Sequence, residues 1–158
     1  MLKPMRGECQ CGQVKYELTA PGFVAYTCHC RACQKLSSSA FNICMQVPAE
    51  ALTISQGSAG SRIRVADSGN ELTSWFCITC GSALFAQNSA RPRIRTLYVG
   101  TLDNPEAVQV SAHIWIKRKL PWVILPQEHR IFDGAGDWTE DYASDMSRYK
   151  PEASPRGC

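Results

Sequence analysis

The chain has 158 residues, a formal net charge of +3, 44% hydrophobic residues and 20% charged residues. These values favour one globular domain and exclude a disordered chain, and the small basic excess makes nucleic-acid binding an unlikely function. Neither a signal peptide nor an apolar run of membrane-spanning length is visible, so we expect a cytoplasmic protein without a membrane partner.

Short stretches of alternating polar and apolar residues, separated by turn residues, predict a mainly β fold of short strands with few short helices. A single helical turn is expected within residues 34–39. From residue 133 the chain has more glycine and acidic residues and few aliphatic ones. This change predicts a domain over residues 1–132 and a loosely packed C-terminal tail over residues 133–158. The predicted strands lie at residues 13–19, 23–27, 40–47, 52–54, 62–66, 72–76, 82–86, 94–99 and 108–116.

Nine cysteines are an unusual number for a cytoplasmic chain of this length. Seven of them form three clusters, with the spacings C-x-C, C-x-C-x-x-C and C-x-x-C. An odd count, the absence of a visible signal peptide and the closeness of the pairs favour metal binding over a disulfide framework. The remaining two are Cys44, in a predicted strand, and Cys158, at the terminus.

The first and last clusters together supply four thiolates, which is the ligand set of a closed tetrahedral zinc site. Cys9 and Cys11 point to one side of an extended segment, and Cys77 and Cys80 enclose a tight turn. We therefore predict a structural zinc held by Cys9, Cys11, Cys77 and Cys80. A competing grouping joins Cys77 and Cys80 to the middle cluster, but it leaves the first pair short of partners.

The middle cluster, Cys28, Cys30 and Cys33, is then left with three ligands for a second zinc. An open fourth position would make this site catalytic. The alternative is a closed site completed by Cys44 or by a histidine. Three thiolates on Zn²⁺ give a net charge of −1, which disfavours hydroxide formation but still allows a visiting thiol to bind as thiolate.

At these motifs the sequence resembles the glutathione-dependent formaldehyde-activating enzyme family, also called the centromere protein V/GFA-type domain family, over roughly residues 5–130. Many members have a Thr-Gly step after the third cysteine of the middle cluster, where this chain has Leu36-Ser37-Ser38-Ser39, a difference that affects the shape of the substrate pocket. The matching motifs are Gly7-x-Cys9-x-Cys11-Gly12-x-Val14-x-Tyr16, Cys28-His29-Cys30-x-x-Cys33 and Phe76-Cys77-x-x-Cys80-Gly81-x-x-Leu84-Phe85.

The resemblance implies an Mss4-like, mainly β zinc-binding fold of short antiparallel strands with few short helices and two Zn²⁺ ions per chain. It also implies a carbon–sulfur lyase similar to S-(hydroxymethyl)glutathione synthase, which adds glutathione or another small thiol to an aldehyde such as formaldehyde. No catalytic residue beyond the zinc ligands is assigned. The alternative is a non-catalytic zinc-binding module for protein or nucleic-acid interaction.

Two basic segments are candidate binding sites. Arg91, Arg93 and Arg95 alternate and could pair with a glutathione carboxylate, although a solvated strand face is the preferred interpretation. The run 117–119 lies beside Trp115 and could contact nucleic acid, but the low net charge disfavours that hypothesis.

Overall fold

A computed structural model describes residues 4–66 and 68–137. The prediction of a mainly β fold is confirmed, because eleven short strands and a single α-helix, α1 (Arg31–Ser37), make up the described regular structure together with four 3₁₀ turns. The strands are β1 (Met5–Glu8), β2 (Lys15–Leu18), β3 (Ala25–Cys28), β4 (Asn42–Pro48), β5 (Leu52–Gln56), β6 (Gly60–Val65), β7 (Glu71–Phe76), β8 (Ala83–Asn88), β9 (Ile94–Tyr98), β10 (Val110–Ile114) and β11 (Arg130–Ile131).

The strands form two sheets. A small sheet has the order β1-β2-β5, and a large sheet has the order β11-β10-β3-β4-β9-β8-β7-β6. Most neighbours are antiparallel, as predicted, but β10 pairs in parallel with both β3 and β11. At this edge a long connection carries the chain from β3 back to β10 in the same direction, so these two strands pair in parallel.

Alternating side chains on the central strands fill two separate apolar clusters. Met45 and Val47 of β4 belong to the larger cluster, which also contains Leu18 and Leu52 of the small sheet. Cys44 points to the opposite face of β4, as predicted, and belongs to the second cluster. Both faces of β4 are thus buried, since the small sheet covers one of them and α1 packs on the other.

Helix α1 begins inside the middle cysteine cluster, three residues earlier than the sequence predicted. Cys30 is its N-cap residue, and the Cys30 Sγ accepts a hydrogen bond from the Cys33 amide. The helix ends at Ser38, whose backbone is in the left-handed conformation with φ 51°. A cysteine is not a usual cap, which explains why the capping pattern does not reveal this start.

The predicted boundary at residue 133 falls in a segment that still contacts the domain. Phe132 packs against the second apolar cluster, and the Gly134 carbonyl accepts a hydrogen bond from the Trp115 amide. Residues 138–158 of the predicted tail, with Cys158, lie outside the described residues. Within the described part of the chain, no helix has the length and apolar character needed to cross a membrane.

Gly7 provides a test of the packing between the two sheets. It lies opposite Tyr16 in the small sheet, and a Cβ atom there would overlap the Tyr16 hydroxyl and the Thr101 backbone carbonyl. Because the Thr101 carbonyl is backbone, we expect Gly7→Ala to lower the free energy of unfolding by about 1–3 kcal/mol. Urea denaturation measures this change. Gly134→Ala, where a Cβ would meet nothing, is the matched control, and equal effects of the two substitutions would contradict the packing argument.

Candidate metal centres

The first and last cysteine clusters meet at one end of the molecule, as the sequence predicted. Cys9 lies in the turn after β1, where its amide donates to the Val14 carbonyl and its Sγ accepts from the Val14 amide. Cys77 begins the turn between β7 and β8, which closes when the Gly81 amide donates to the Cys77 carbonyl. Gly81 has φ +77°, a conformation that glycine adopts without strain.

The four sulfurs of Cys9, Cys11, Cys77 and Cys80 fit a tetrahedral metal ion. All four lie within 4.8 Å of one another. The Sγ atoms of Cys9 and Cys11 are 3.5 Å apart, and those of Cys11 and Cys77 are 3.8 Å apart. Ligands 2.3 Å from a tetrahedral zinc are separated by about 3.8 Å, so the arrangement matches the donor set of a closed zinc site.

Hydrogen bonds already favour the charged form of one of these thiols. The hydroxyl and the backbone amide of Ser82 lower the pKa of Cys80 to about 5. The Ser82 Oγ lies 3.2 Å from the Cys80 Sγ and also accepts a hydrogen bond from the Gln10 amide. Ser82 therefore stabilises a thiolate and ties the two cysteine turns together, a role that the cysteine spacing did not indicate.

The middle cluster lies at the junction between β3 and α1. Cys28 ends the strand, Cys30 caps the helix and Cys33 occupies its first turn. The three sulfurs lie within 4.8 Å of one another, and no other histidine, cysteine or carboxylate of the described residues joins that set. Cys44 is buried nearby, but its thiol donates weakly to the Asn42 carbonyl. All eight cysteines in the described ranges are free thiols.

Three sulfurs this close compete for one negative charge. Hydrogen bonds from Cys28 and Cys33 lower the pKa of Cys30 to about 2. The bond to Cys30 raises the pKa of Cys28 to about 12, and the bond to Cys28 raises the pKa of Cys33. Ionising all three together requires a cation between them, and a soft divalent metal ion fits this donor set.

Behind this cluster, hydrogen bonds join the three histidines of the chain. Thr27 Oγ1 lies 2.9 Å from His29 Nε2 and 2.6 Å from His113 Nδ1, while His113 Nε2 lies 3.0 Å from His129 Nδ1. His29 is fully buried, and its ring bonds to Thr27 and does not join the three-sulfur set. The sequence could not predict these contacts, because they depend on the parallel pairing of β3 with β10.

The hydrogen bonds in the row of histidines have an assignable donor and acceptor at each step. His29 Nδ1 is buried without a partner among the described residues. Burying an unpaired lone pair costs less free energy than burying an unpaired N–H group. Neutral His29 therefore carries its hydrogen on Nε2 and donates to Thr27, whose hydroxyl donates to His113. Burial, followed by the nearby charges of His113 and Lys119, lowers the pKa of His29 to about 4 and keeps it neutral.

Gln34 fixes the first turn of α1 against the end of β3. Its buried amide nitrogen donates to the His29 carbonyl at 2.8 Å and to the Arg118 carbonyl at 3.0 Å. Its oxygen accepts from Arg31. The position of the middle cysteine cluster is therefore fixed by buried hydrogen bonds as well as by the strand and the helix.

A cavity of about 210 Å³ lies between the two sets of sulfurs. One wall comes from Leu36 and Ser37 of α1, on the turn that follows Cys33, and another from Ser82, two residues after Cys80. Leu36 and Ser37 are the positions at which the sequence departs from the family pattern, so that departure shapes this cavity. The full lining is Leu36, Ser37, Asn42, Ser82, Ala83, Tyr98, Gly100 and Thr101.

The alternating arginines differ in their surroundings: Arg93 is exposed, as a solvated face requires, but Arg95 is not part of such a face. Arg95 is half-buried, its Nη1 donates to the Leu52 carbonyl at 2.7 Å, and its guanidinium stacks over Phe85 and Trp75. Arg95 is thus committed to packing within the sheet. In the basic run, Lys119 donates to the Leu120 and Val123 carbonyls.

Comparisons with known proteins agree with this architecture. By its fold and its two cysteine sets, this chain is a small, mainly β protein whose cysteines could hold metal ions. A family model described as glutathione-dependent formaldehyde-activating enzyme matches residues 4–118, and the chain belongs to this family.

One solved structure that resembles the chain is the crystal structure of a Rhodobacter sphaeroides protein determined as a structural genomics target. The two share 24% sequence identity with a TM-score of 0.53, over 67% of this chain and 97% of the other, and this likeness concerns the fold alone. A search of curated proteins found no match.

The histidine row predicts a pH dependence of stability. Burial and the charge of His129 lower the pKa of His113 in the folded protein. In the unfolded chain this histidine has the ordinary pKa of about 6.5, so below that pH the unfolded chain is protonated at His113 before the folded protein is. We expect the free energy of unfolding to decrease with decreasing pH in that range, and to do so less steeply in His113→Asn. Urea denaturation at several pH values measures both slopes, and identical slopes would contradict the prediction.

Proposed function

We propose that this protein is a zinc-dependent carbon–sulfur lyase that adds a glutathione-like thiol to an aldehyde such as formaldehyde. The observation that carries the proposal is the three-sulfur set of Cys28, Cys30 and Cys33, to which no fourth side chain of the described residues contributes. Such a donor set leaves a coordination position for an exogenous ligand. Family membership supplies the reaction class.

The same proposal assigns the two sets different roles. Cys9, Cys11, Cys77 and Cys80 hold a structural zinc, because four sulfurs at tetrahedral spacing complete its coordination. Cys28, Cys30 and Cys33 hold the catalytic zinc.

Eight free cysteines suit a reducing compartment, so we place the protein in the cytoplasm. The proposed functional domain spans residues 1–132, and the proposed C-terminal tail over residues 133–158 begins with a segment that contacts this domain through Gly134.

The reaction joins two small molecules without oxidation. A zinc ion held by Cys28, Cys30 and Cys33 would lower the pKa of a thiol that binds to it and so favour the thiolate form. The sulfur lone pair forms the C–S bond at the carbonyl carbon, the C=O π pair moves to oxygen, and that oxygen takes up the proton lost by the thiol. In this chain, Gln34 and the cap at Cys30 hold the three sulfurs in place during the reaction.

Metal content tests the two roles. We expect close to two zinc ions per chain by elemental analysis, and close to one in both Cys11→Ser and Cys30→Ser. Cys11→Ser should lower the free energy of unfolding strongly, since a structural zinc contributes on the order of 10 kcal/mol to folding. Cys44→Ala is the control for a closed second site and should keep both ions. Loss of one zinc in Cys44→Ala would show that the second site has four ligands.

Activity tests the reaction. Purified protein with two zinc ions should consume formaldehyde at a rate that depends on added thiol, and Cys30→Ser should reduce that rate by at least about 10²-fold, because the set of metal ligands is incomplete. Hemithioacetal formation can be followed by NMR. If the two-zinc protein gives no turnover with any of a panel of small thiols, the lyase proposal fails and the hypothesis of a non-catalytic zinc module is favoured.

A further inference from the structure

Asn42 lies directly beside the three-sulfur set. It is the first residue of β4, and its register partner on β3 is Cys28. Side chains directly opposite each other on antiparallel strands lie on the same face of the sheet, with Cβ atoms about 4.5–5.5 Å apart. Tyr26, Cys44 and Tyr98 lie on this face too, because they form the next row of register partners.

Asn42 also lines the cavity between the two sets of sulfurs. The cavity therefore reaches the residue adjacent to Cys28, while Leu36 and Ser37 bring it next to the helical turn that contains Cys33. The walls of the cavity thus come from residues next to the three-sulfur set on both β4 and α1, although the three cysteines themselves do not line it.

The hydroxyl groups of the cavity are already paired within the protein. The single hydroxyl hydrogen of Ser37 is shared between the Cys33 and Phe41 carbonyls, both 2.9 Å from its Oγ, and Thr101 donates to the Tyr98 carbonyl. The Tyr98 phenol is hydrogen-bonded to Ser74, and Ser82 is engaged with Cys80 and Gln10. By contrast, the half-buried Asn42 carboxamide has no hydrogen-bond partner among residues 4–66 and 68–137. Its two N–H donors are available to a ligand.

The eight lining residues carry no charge. A carboxylate or ammonium group in the cavity would lose hydration without gaining an ion pair, and this disfavours the charged ends of a glutathione-like thiol. A small uncharged molecule with one acceptor oxygen fits better. About 210 Å³ corresponds to several water-sized volumes of about 30 Å³ each, so the cavity can hold a few heavy atoms.

We propose that this cavity binds the aldehyde and that the Asn42 carboxamide donates a hydrogen bond to the aldehyde oxygen. This inference rests on the proposed thiol–aldehyde addition and adds to it a binding site for the second substrate. As the thiolate attacks the carbonyl carbon, the π pair moves to oxygen and negative charge develops at the atom that Asn42 contacts. The hydrogen bond therefore strengthens in the transition state, as in other sites that stabilise an oxyanion with an amide donor.

The expected effect is specific to the aldehyde. Asn42→Ala removes the donor, and we expect kcat/KM for the aldehyde to fall by about 10²-fold. Asn42→Asp keeps the shape but presents an acceptor, so it should lower the rate at least as much. Zinc content should stay close to two ions per chain in both variants. The affinity for the thiol in the absence of aldehyde, measured by isothermal titration calorimetry, should also be unchanged.

Asn70→Ala is the matched control, because Asn70 lies in the turn before β7 and its carboxamide donates to the Ser68 hydroxyl, away from the cavity lining. It should leave all three quantities unchanged. Wild-type kcat/KM in Asn42→Ala would overturn the inference while leaving the proposed function in place. Loss of zinc or of thiol binding in Asn42→Ala would also overturn it, since Asn42 would then support the metal ligands. A two-zinc wild-type protein that adds no thiol to any aldehyde would overturn the proposed function and this inference together.

Discussion

Repulsion between closely packed sulfurs is the constraint on which this molecule depends. Seven thiols occupy two sets in which every sulfur lies within 4.8 Å of the others. Without a cation, each set can hold only part of the negative charge that its thiolates would carry, and this is why the pKa of Cys30 falls while that of Cys28 rises. The fold brings these groups together through paired strands and tight turns, so a metal ion bound at either set would stabilise the native structure.

The large sheet organises the chemistry by separating two faces at β3 and β4. One face carries Cys28, Asn42 and Tyr98, and it borders the cavity. The opposite face of β3 carries Thr27, which joins His29 to His113 through buried hydrogen bonds. Polar groups on the first face are thus partly available to a small molecule. On the second face Thr27 bonds to both His29 and His113, and the His29 Nδ1 atom is left without a partner among the described residues.

Much of the fold and both cysteine sets were predictable from local patterns. Alternating residues and turn residues placed most strands, and the spacing of Cys9, Cys11, Cys77 and Cys80 grouped four sulfurs that the fold does bring together. The parallel pairing of β10, the histidine row and the position of Asn42 were not predictable, because each depends on contacts between distant segments. The packing of Arg95 over Trp75 and Phe85 was also not predictable, because strand alternation does not reveal which face an aromatic pair covers.

The separation of the two cysteine sets along the chain gives them different costs of assembly. Cys28 to Cys33 are neighbours in sequence, whereas Cys11 and Cys77 are 66 positions apart. Ordering the longer segment costs about 2 kcal/mol more in loop-closure entropy, because that cost grows with the logarithm of length. During synthesis the local set is complete once α1 emerges, but the four-sulfur set must wait for the turn after β7. If the two sets bind metal ions, the three-sulfur set would therefore be able to bind one earlier during synthesis than the four-sulfur set.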